Sequence, residues 1–183
     1  MDRTSPYRVL VVCTANMGRS ANLRVYINHI AGEKGYPIEA DSAGTKDITV
    51  GFFLGRGGTE VLGYAAEILR EQGIDPSHRP KPLTGELVKW SDVILPAAEE
   101  NKGKILERYP GAAGKTFTAR EYVGESGDLM DAYAREGKET TWRGRVGGQE
   151  RESPIGTNEA YRLMLAELRE LAEKICEKAV GEW

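Results

Sequence analysis

A short apolar run leads directly into a loop and then into an amphipathic stretch near the start of the 183-residue chain. The run is Tyr7-Arg8-Val9-Leu10-Val11-Val12, and Cys13 follows it at once. Residues 19–34 carry apolar side chains at helical spacing, and Gly35 is typical of a helix end. The order of buried strand, loop and helix restricts the chain to folds in which a strand passes directly into a helix.

The same alternation continues along the chain. We predict further strands at residues 37–43, 92–96 and 115–118, and further helices at residues 59–72, 84–89, 99–108 and 157–180. This pattern favours a three-layer α/β fold with a mainly parallel four-stranded sheet flanked by helices. Such sheets bind ligands at the carboxyl ends of their strands, which is where the loop after the first strand is expected.

The composition is that of an ordinary globular protein, with 40% hydrophobic and 29% charged residues. A net charge of −3 provides no basic field for nucleic acid or an anionic membrane. No apolar stretch approaches the roughly 20 residues of a membrane span, and the first six residues lack a signal peptide's apolar region. We therefore expect one cytoplasmic domain over residues 1–183, a monomer or weak dimer, with neither nucleic acid nor membrane as partner.

The chain has two cysteines and two histidines, which are spread along the sequence. Two cysteines make neither a disulfide framework nor a multi-cysteine metal site, and no spacing typical of a metal site is present. We predict no metal and no cofactor, and we interpret Cys176, in a helical pattern, as an apolar filler.

The loop Cys13-Thr14-Ala15-Asn16-Met17-Gly18-Arg19-Ser20 combines three features that favour an anion. Free backbone N–H groups, the positive end of a helix and a guanidinium coincide there, so a phosphate is expected to bind. The same field favours a thiolate, which is a nucleophile. A cysteine at a strand end is most often a packing residue, and the surrounding strand, helix, Asn16 and Ser20 are what favour the nucleophile.

The chain resembles the low-molecular-weight protein tyrosine phosphatases, whose loop runs Cys-x-Gly-Asn-x-Cys-Arg-Ser. The resemblance extends to four further segments: Asp41-Ser42-Ala43-Gly44-Thr45, Gly73-Ile74-Asp75, Ser77-His78-Arg79, and residues 154–161. It implies that the Cys13 thiolate attacks phosphorus and forms a phosphocysteine. It also implies that Arg19 and the backbone of the loop residues Thr14, Ala15, Asn16, Met17, Gly18 and Ser20 hold the phosphate oxygens.

The resemblance implies supporting roles for polar side chains around the loop. Ser20 would hydrogen-bond the thiolate, and Asn16, Ser42 and His78 would brace the loop. Each also has a plain alternative: Asn16 could hold its own backbone, Ser42 could satisfy a turn, and His78 could lie on the surface.

Two registers compete for the general acid, which the family supplies from Asp-Pro-aromatic. Residues 127–133 resemble the family motif with Ala132 for proline, which makes Asp131 the acid and Tyr133 a substrate-facing ring. Counting back from the last helix instead puts residues 153–156 on the motif, which leaves Glu152 or no acid. We prefer Asp131, and residues 124–152, polar and without periodicity, are then an insertion or lid.

The substrate wall departs from the family pattern. Met17 beside Arg19 suits a flat aryl group, whereas phosphoarginine-selective relatives carry threonine there. Phe52, with Phe53 beside it, could replace the family's aromatic wall next to Tyr133, although two phenylalanines in a loop are equally typical of buried anchors. Gly18 replaces the second loop cysteine, which removes the loop disulfide of some relatives. The expected partner is a phosphorylated protein or a small aryl phosphate.

Three functions follow from these residues. The first is a phosphomonoesterase acting on phosphotyrosine-like substrates. The second is a catalytically weak phosphate-sensing protein of the same fold, since the acid is in doubt. The third, less favoured, is an arsenate reductase, which needs additional cysteines near Cys13.

Overall fold

The computed structural model describes residues 4–46, 59–133 and 140–183. The helices and strands follow in chain order as β1 (Tyr7–Cys13), α1 (Arg19–Lys34), β2 (Ile38–Gly44), α2 (Ala65–Glu71), α3 (Gly85–Trp90), β3 (Val93–Pro96), α4 (Glu99–Arg108), a 3-10 helix (Pro110–Lys115), α5 (Ala119–Tyr122), β4 (Thr141–Val146), β5 (Gln149–Pro154) and α6 (Asn158–Glu182). None of the helices within these described ranges is long and apolar enough to cross a bilayer.

Strand β1 lies at the centre of a parallel sheet with the order β2-β1-β3. Its interior residues are buried on both faces, which is why the sequence of β1 is almost continuously apolar rather than alternating. The carboxyl ends of the three strands meet at one edge, where Cys13 lies opposite Gly44, and Val12 lies opposite Pro96. The loop that follows Cys13 therefore occupies the ligand-binding edge that the sequence predicts.

Helices cover both faces of the sheet. Val9 and Val11 point into a large core formed with α1, α2 and α6, whereas Leu10 and Val12 point into a smaller core formed with α3 and α4. Thr157 caps α6 by accepting a hydrogen bond from the backbone N–H of Ala160. The three-layer arrangement with a parallel sheet is thus confirmed.

The four-stranded detail is not confirmed. In the described residues, Thr116 forms only an isolated parallel bridge to Ile94, supported by a hydrogen bond from the Phe117 N–H to the Ile94 carbonyl. The 3-10 helix extends through Lys115, and Thr118 already caps α5 in a capping box with Glu121. Only two residues remain between these elements, which is too few for a strand.

The helix predicted over residues 59–72 is also shorter than expected. Glu60 pairs with Ser77 in an antiparallel bridge, and Gly63 has a φ of 69°, so the segment before Ala65 is not helical. The helix begins only at Ala65.

The polar segment at 124–152 contains regular structure that its sequence does not indicate. Strands β4 and β5 form an antiparallel hairpin, in register from Thr141 opposite Pro154 to Val146 opposite Gln149. The turn residues Gly147 and Gly148 both have positive φ, as a two-residue hairpin turn of type I′ requires. Most side chains of the hairpin face solvent, so its sequence carries no apolar alternation from which to recognise strands.

Candidate active site

The Cys13 sulfur lies at the floor of the loop between β1 and α1. The thiol is buried, with Sγ 3.2 Å from the backbone nitrogen of Asn16 and 3.0 Å from Oγ of Ser20. Ser20 Oγ also accepts a hydrogen bond from Asn16 Nδ2, at 3.0 Å, so its own O–H is available to donate to sulfur. Two donors therefore point at the sulfur and stabilise negative charge on it.

Asn16 connects the loop to the rest of the site. Its φ of 55° lies in the left-handed region, which asparagine tolerates better than most side chains. Its Nδ2 donates to Ser42 Oγ at 2.9 Å, and its Oδ1 accepts from the Lys81 N–H at 3.0 Å. His78 Nε2 lies 2.5 Å from the Asn16 carbonyl oxygen. The structure thus brings together the four residues named as loop support: Asn16, Ser20, Ser42 and His78.

Burial keeps His78 neutral. It lowers the pKa of the imidazole from 6.5 to about 4. At neutral pH a nitrogen that contacts a carbonyl oxygen must carry the proton, so Nε2–H donates to Asn16.

The remaining loop residues are fixed by neighbours that the sequence analysis did not name. Asn22 Nδ2 donates to the Gly18 carbonyl at 2.8 Å, and Asn101 Nδ2 donates to Thr14 Oγ1 at 3.1 Å. Both asparagines are buried polar residues in helical stretches, and an asparagine in an otherwise apolar helix face was the available signal. Gly44 lies so close that a Cβ there would be 2.8 Å from the Thr14 carbonyl oxygen.

The Arg19 guanidinium is aimed by the segment that carries the predicted acid. Its Nη1 donates to the Leu129 carbonyl at 3.0 Å, and its Nε lies 3.9 Å from Asp131 Oδ2. That Nε is buried and has no hydrogen-bond partner among the described residues. Leaving a buried donor without an acceptor costs free energy, so this N–H group is suited to bind an oxyanion.

Asp131 lies over the loop, and Glu152 does not. A Cβ at Gly18 would lie 2.3 Å from Asp131 Oδ2, so the carboxylate occupies the space that a side chain at position 18 would fill. Glu152 lies on β5 with 70% of its side chain exposed, 3.6 Å from Arg143, whereas the Asp131 side chain is 27% exposed. Of the two candidate acids, only Asp131 contacts the loop.

The two segments that were considered for the acid motif, residues 127–133 and 153–156, lie next to each other in the structure. The Gly156 N–H donates to the Ala132 carbonyl at 2.8 Å, so the chain leaves the site after Asp131 and returns to it at Ile155. One cleft then contains side chains from both sides of the hairpin: Arg19, Glu100, Asp128, Met130, Asp131, Tyr133, Arg143 and Ile155. Tyr133 lines this cleft, and so does Ile155, which was not among the predicted wall residues.

Two other predicted wall residues have different outcomes. Met17 is half-buried within the loop, and its carbonyl accepts a hydrogen bond from Leu62 N. Phe52 lies outside the described residues. Over the described ranges, no group of three or more histidine, cysteine, aspartate or glutamate side chains is arranged to hold a metal ion.

Comparison with known proteins gives a consistent result. The family described as low molecular weight phosphotyrosine protein phosphatase matches residues 8–146. A protein-arginine-phosphatase of Geobacillus stearothermophilus is 30% identical over 97% of this chain and 99% of its own length. A probable low molecular weight protein-tyrosine-phosphatase, EpsP, of Ralstonia solanacearum is 30% identical over 70% of this chain and 79% of its own length.

A solved structure agrees with these relatives. The low molecular weight protein tyrosine phosphatase from T. tengcongensis superimposes with a TM-score of 0.74 at 32% identity. The match covers 94% of this chain and 99% of that one.

Replacing Asn16 by alanine should weaken both folding and anion binding. The change removes three side-chain hydrogen bonds and places alanine in the left-handed region, for an expected loss of about 3 kcal/mol in the free energy of unfolding. Binding of inorganic phosphate, measured by calorimetry, should fall with it.

The matched control is Asn28→Ala. Asn28 makes two hydrogen bonds to the Ala40 backbone, away from the loop, so its loss should lower stability and leave phosphate affinity unchanged. Equal phosphate affinity in Asn16→Ala and the wild type would contradict the role of Asn16.

Burial of neutral His78 predicts a pH-dependent stability. The folded pKa of about 4 lies below the unfolded value of 6.5, so the unfolded chain binds the extra proton between these values. The contribution is complete above pH 6.5 and is lost as pH falls towards 4, with a total of about 3 kcal/mol. In His78→Gln this component disappears, and denaturant unfolding at several pH values should show the wild-type advantage shrinking with acidification. A constant offset between the two proteins would contradict it.

Proposed function

The chain belongs to the low molecular weight phosphotyrosine protein phosphatase family, and from this premise we propose that it hydrolyses phosphotyrosine-like esters through a phosphocysteine. One observation carries the proposal. A buried sulfur with two donors aimed at it lies in the same loop as a buried guanidinium N–H that has no acceptor among the described residues.

The first half-reaction transfers the phosphoryl group to sulfur. The Cys13 thiolate attacks phosphorus, the bond from phosphorus to the ester oxygen breaks, and a P–S bond forms. Asp131, protonated at this stage, gives its proton to the departing oxygen. Arg19 and the loop N–H groups hold the non-bridging oxygens as their charge rearranges.

The second half-reaction restores the enzyme. Asp131, now a carboxylate, takes a proton from water, which attacks phosphorus. The P–S bond breaks, inorganic phosphate leaves, and the electron pair remains on sulfur. The Ser20 hydroxyl and the Asn16 N–H, both within 3.2 Å of Sγ, stabilise the leaving thiolate.

The wall of the cleft supports an aryl ester as substrate. Tyr133 and Ile155 line it beside Arg19 and Asp131, which provides an apolar and aromatic boundary for a flat ring. Met17 is a half-buried apolar residue of the loop itself and is not among the residues that line this cleft.

Phosphoarginine is the second candidate substrate. The relative that covers 97% of this chain is a protein-arginine-phosphatase. The carboxylates of Glu100 and Asp128 also line the cleft, and negative charge there favours a cationic guanidinium leaving group.

The geometry argues against a disulfide relay of the arsenate-reductase type. Cys176 is wholly buried in α6, with Sγ directed at the Ile27 carbonyl oxygen 3.7 Å away. Burial raises the pKa of its thiol to about 12, so it is not a thiolate at neutral pH. The assay that follows distinguishes an enzyme from a phosphate-sensing protein, which would bind phosphate without hydrolysing the esters.

Substitutions at Cys13 and Asp131 test the mechanism with p-nitrophenyl phosphate and phenyl phosphate, in EDTA. Cys13→Ser should abolish turnover of both esters. Asp131→Asn should lower kcat/KM for phenyl phosphate by about 100-fold and much less for p-nitrophenyl phosphate, whose leaving group needs less help from an acid.

Glu152→Gln is the matched control and should behave as the wild type, because Glu152 is exposed on β5. Full activity of Cys13→Ser would exclude the mechanism, and wild-type inactivity on both esters would favour the sensor.

Met17→Thr tests the choice of substrate. Because threonine stands at this position in phosphoarginine-selective relatives, we expect the kcat/KM ratio of a phosphoarginine peptide over the matching phosphotyrosine peptide to rise about tenfold or more. The wild type should prefer phosphotyrosine. A wild type that prefers phosphoarginine would overturn the assignment of an aryl substrate and leave the phosphocysteine mechanism intact.

A further inference from the structure

The hairpin β4–β5 is inserted between the predicted acid and the segment that returns to the site. Its two ends are joined close to Asp131: the Gly156 N–H donates to the Ala132 carbonyl, and the Ile155 N–H donates to the Thr140 carbonyl at 2.9 Å. The hairpin is therefore anchored next to the acid by backbone hydrogen bonds.

A buried tryptophan makes the contact from the hairpin to the acid segment. Trp142 on β4 has 0% exposure, and its indole N–H donates to the Met130 carbonyl at 3.1 Å. The next backbone N–H, that of Arg143, lies 3.2 Å from Met130 Sδ. Met130 immediately precedes Asp131, so these contacts fix the peptide from which the carboxylate projects.

The hairpin is itself held against α6. The Arg145 N–H donates to Glu167 Oε1 at 2.7 Å, and the Gly147 N–H donates to the Glu170 carboxylate at 2.9 Å. Glu167 is 4% exposed and paired with buried Arg120, so this attachment lies in the interior.

There is no free space between Gly144 and the indole of Trp142. A Cβ there would lie 2.4 Å from Trp142 Cζ2 and 2.7 Å from Glu167 Oε1. The indole is therefore confined between the backbone of β4 and the acid segment.

We propose that Trp142 is a positioning residue for Asp131, because its indole N–H fixes the peptide that places the carboxylate over the Cys13 loop. The proposal rests on the proposed function. In this proposal the hairpin contributes to the cleft in two ways: it holds Asp131 in place, and it provides Arg143 to the lining.

Trp142→Phe tests this with the two aryl esters. The substitution keeps most of the ring and removes the N–H donor. Asp131 is then held less firmly, so it should protonate a poor leaving group less efficiently. The ratio of kcat/KM for p-nitrophenyl phosphate over phenyl phosphate should rise about fivefold, the factor that corresponds to one lost hydrogen bond. A general loss of folded protein would lower both values equally and leave the ratio unchanged.

Trp183→Phe is the matched control. Trp183 also donates its indole N–H to a carbonyl, that of Ser5 at 2.9 Å, and lies at the far end of the chain. Its ratio should equal that of the wild type.

Gly144→Ala provides a second route that keeps the tryptophan and displaces it. The ratio should rise in the same direction, while Gly103→Ala, where an added Cβ meets no atom within 4 Å, should not change it. An unchanged ratio in a folded and active Trp142→Phe, or in Gly144→Ala if Trp142→Phe does not fold, would overturn the positioning role. An inactive wild type would instead refute the proposed function.

Discussion

A thiolate at the floor of an anion site needs hydrogen-bond donors directed at its sulfur. The backbone N–H of Asn16 is such a donor, and it reaches the sulfur only because Asn16 adopts a left-handed backbone conformation. A residue other than glycine in the left-handed region costs of the order of 1 kcal/mol or more. The conformation turns the Asn16 N–H inwards to the Cys13 sulfur. Contacts with Ser42, His78 and Lys81, from three separate positions in the chain, hold it there.

These contacts converge because the sheet is parallel. Cys13 and Gly44 end β1 and β2 at the same edge, so the loop after β1 meets Ser42. The bridge between Gly44 and Pro82 brings the segment around His78 to the same edge. The third strand brings α4 to the same edge, and Asn101 on that helix reaches Thr14. The site is thus a consequence of topology as much as of the loop itself.

The sequence predicted those parts of the fold and site that local pattern determines. The apolar run of β1, the spacing of Cys13 and Arg19, and the helical periodicity of α6 each depend on near neighbours in the chain. The strand predicted at 115–118 is not confirmed, because the 3-10 helix that ends at Lys115 and the helix cap at Thr118 leave only two residues between them. The hairpin was missed because its exposed strands have no apolar face to bury. The hydrogen bond between Ala132 and Gly156 joins two positions more than twenty residues apart, and a contact of that kind carries no local signal.

The phosphocysteine mechanism is tested most directly by trapping the covalent intermediate. The enzyme is mixed with p-nitrophenyl phosphate, quenched in an alkaline denaturant, in which a P–S bond survives, during the first turnover and digested, and the phosphorylated peptide is identified by mass spectrometry. A phosphocysteine mechanism predicts one phosphoryl group on the peptide that contains Cys13, bound to sulfur. A phosphoryl group on another residue, or turnover with no labelled peptide, would contradict it.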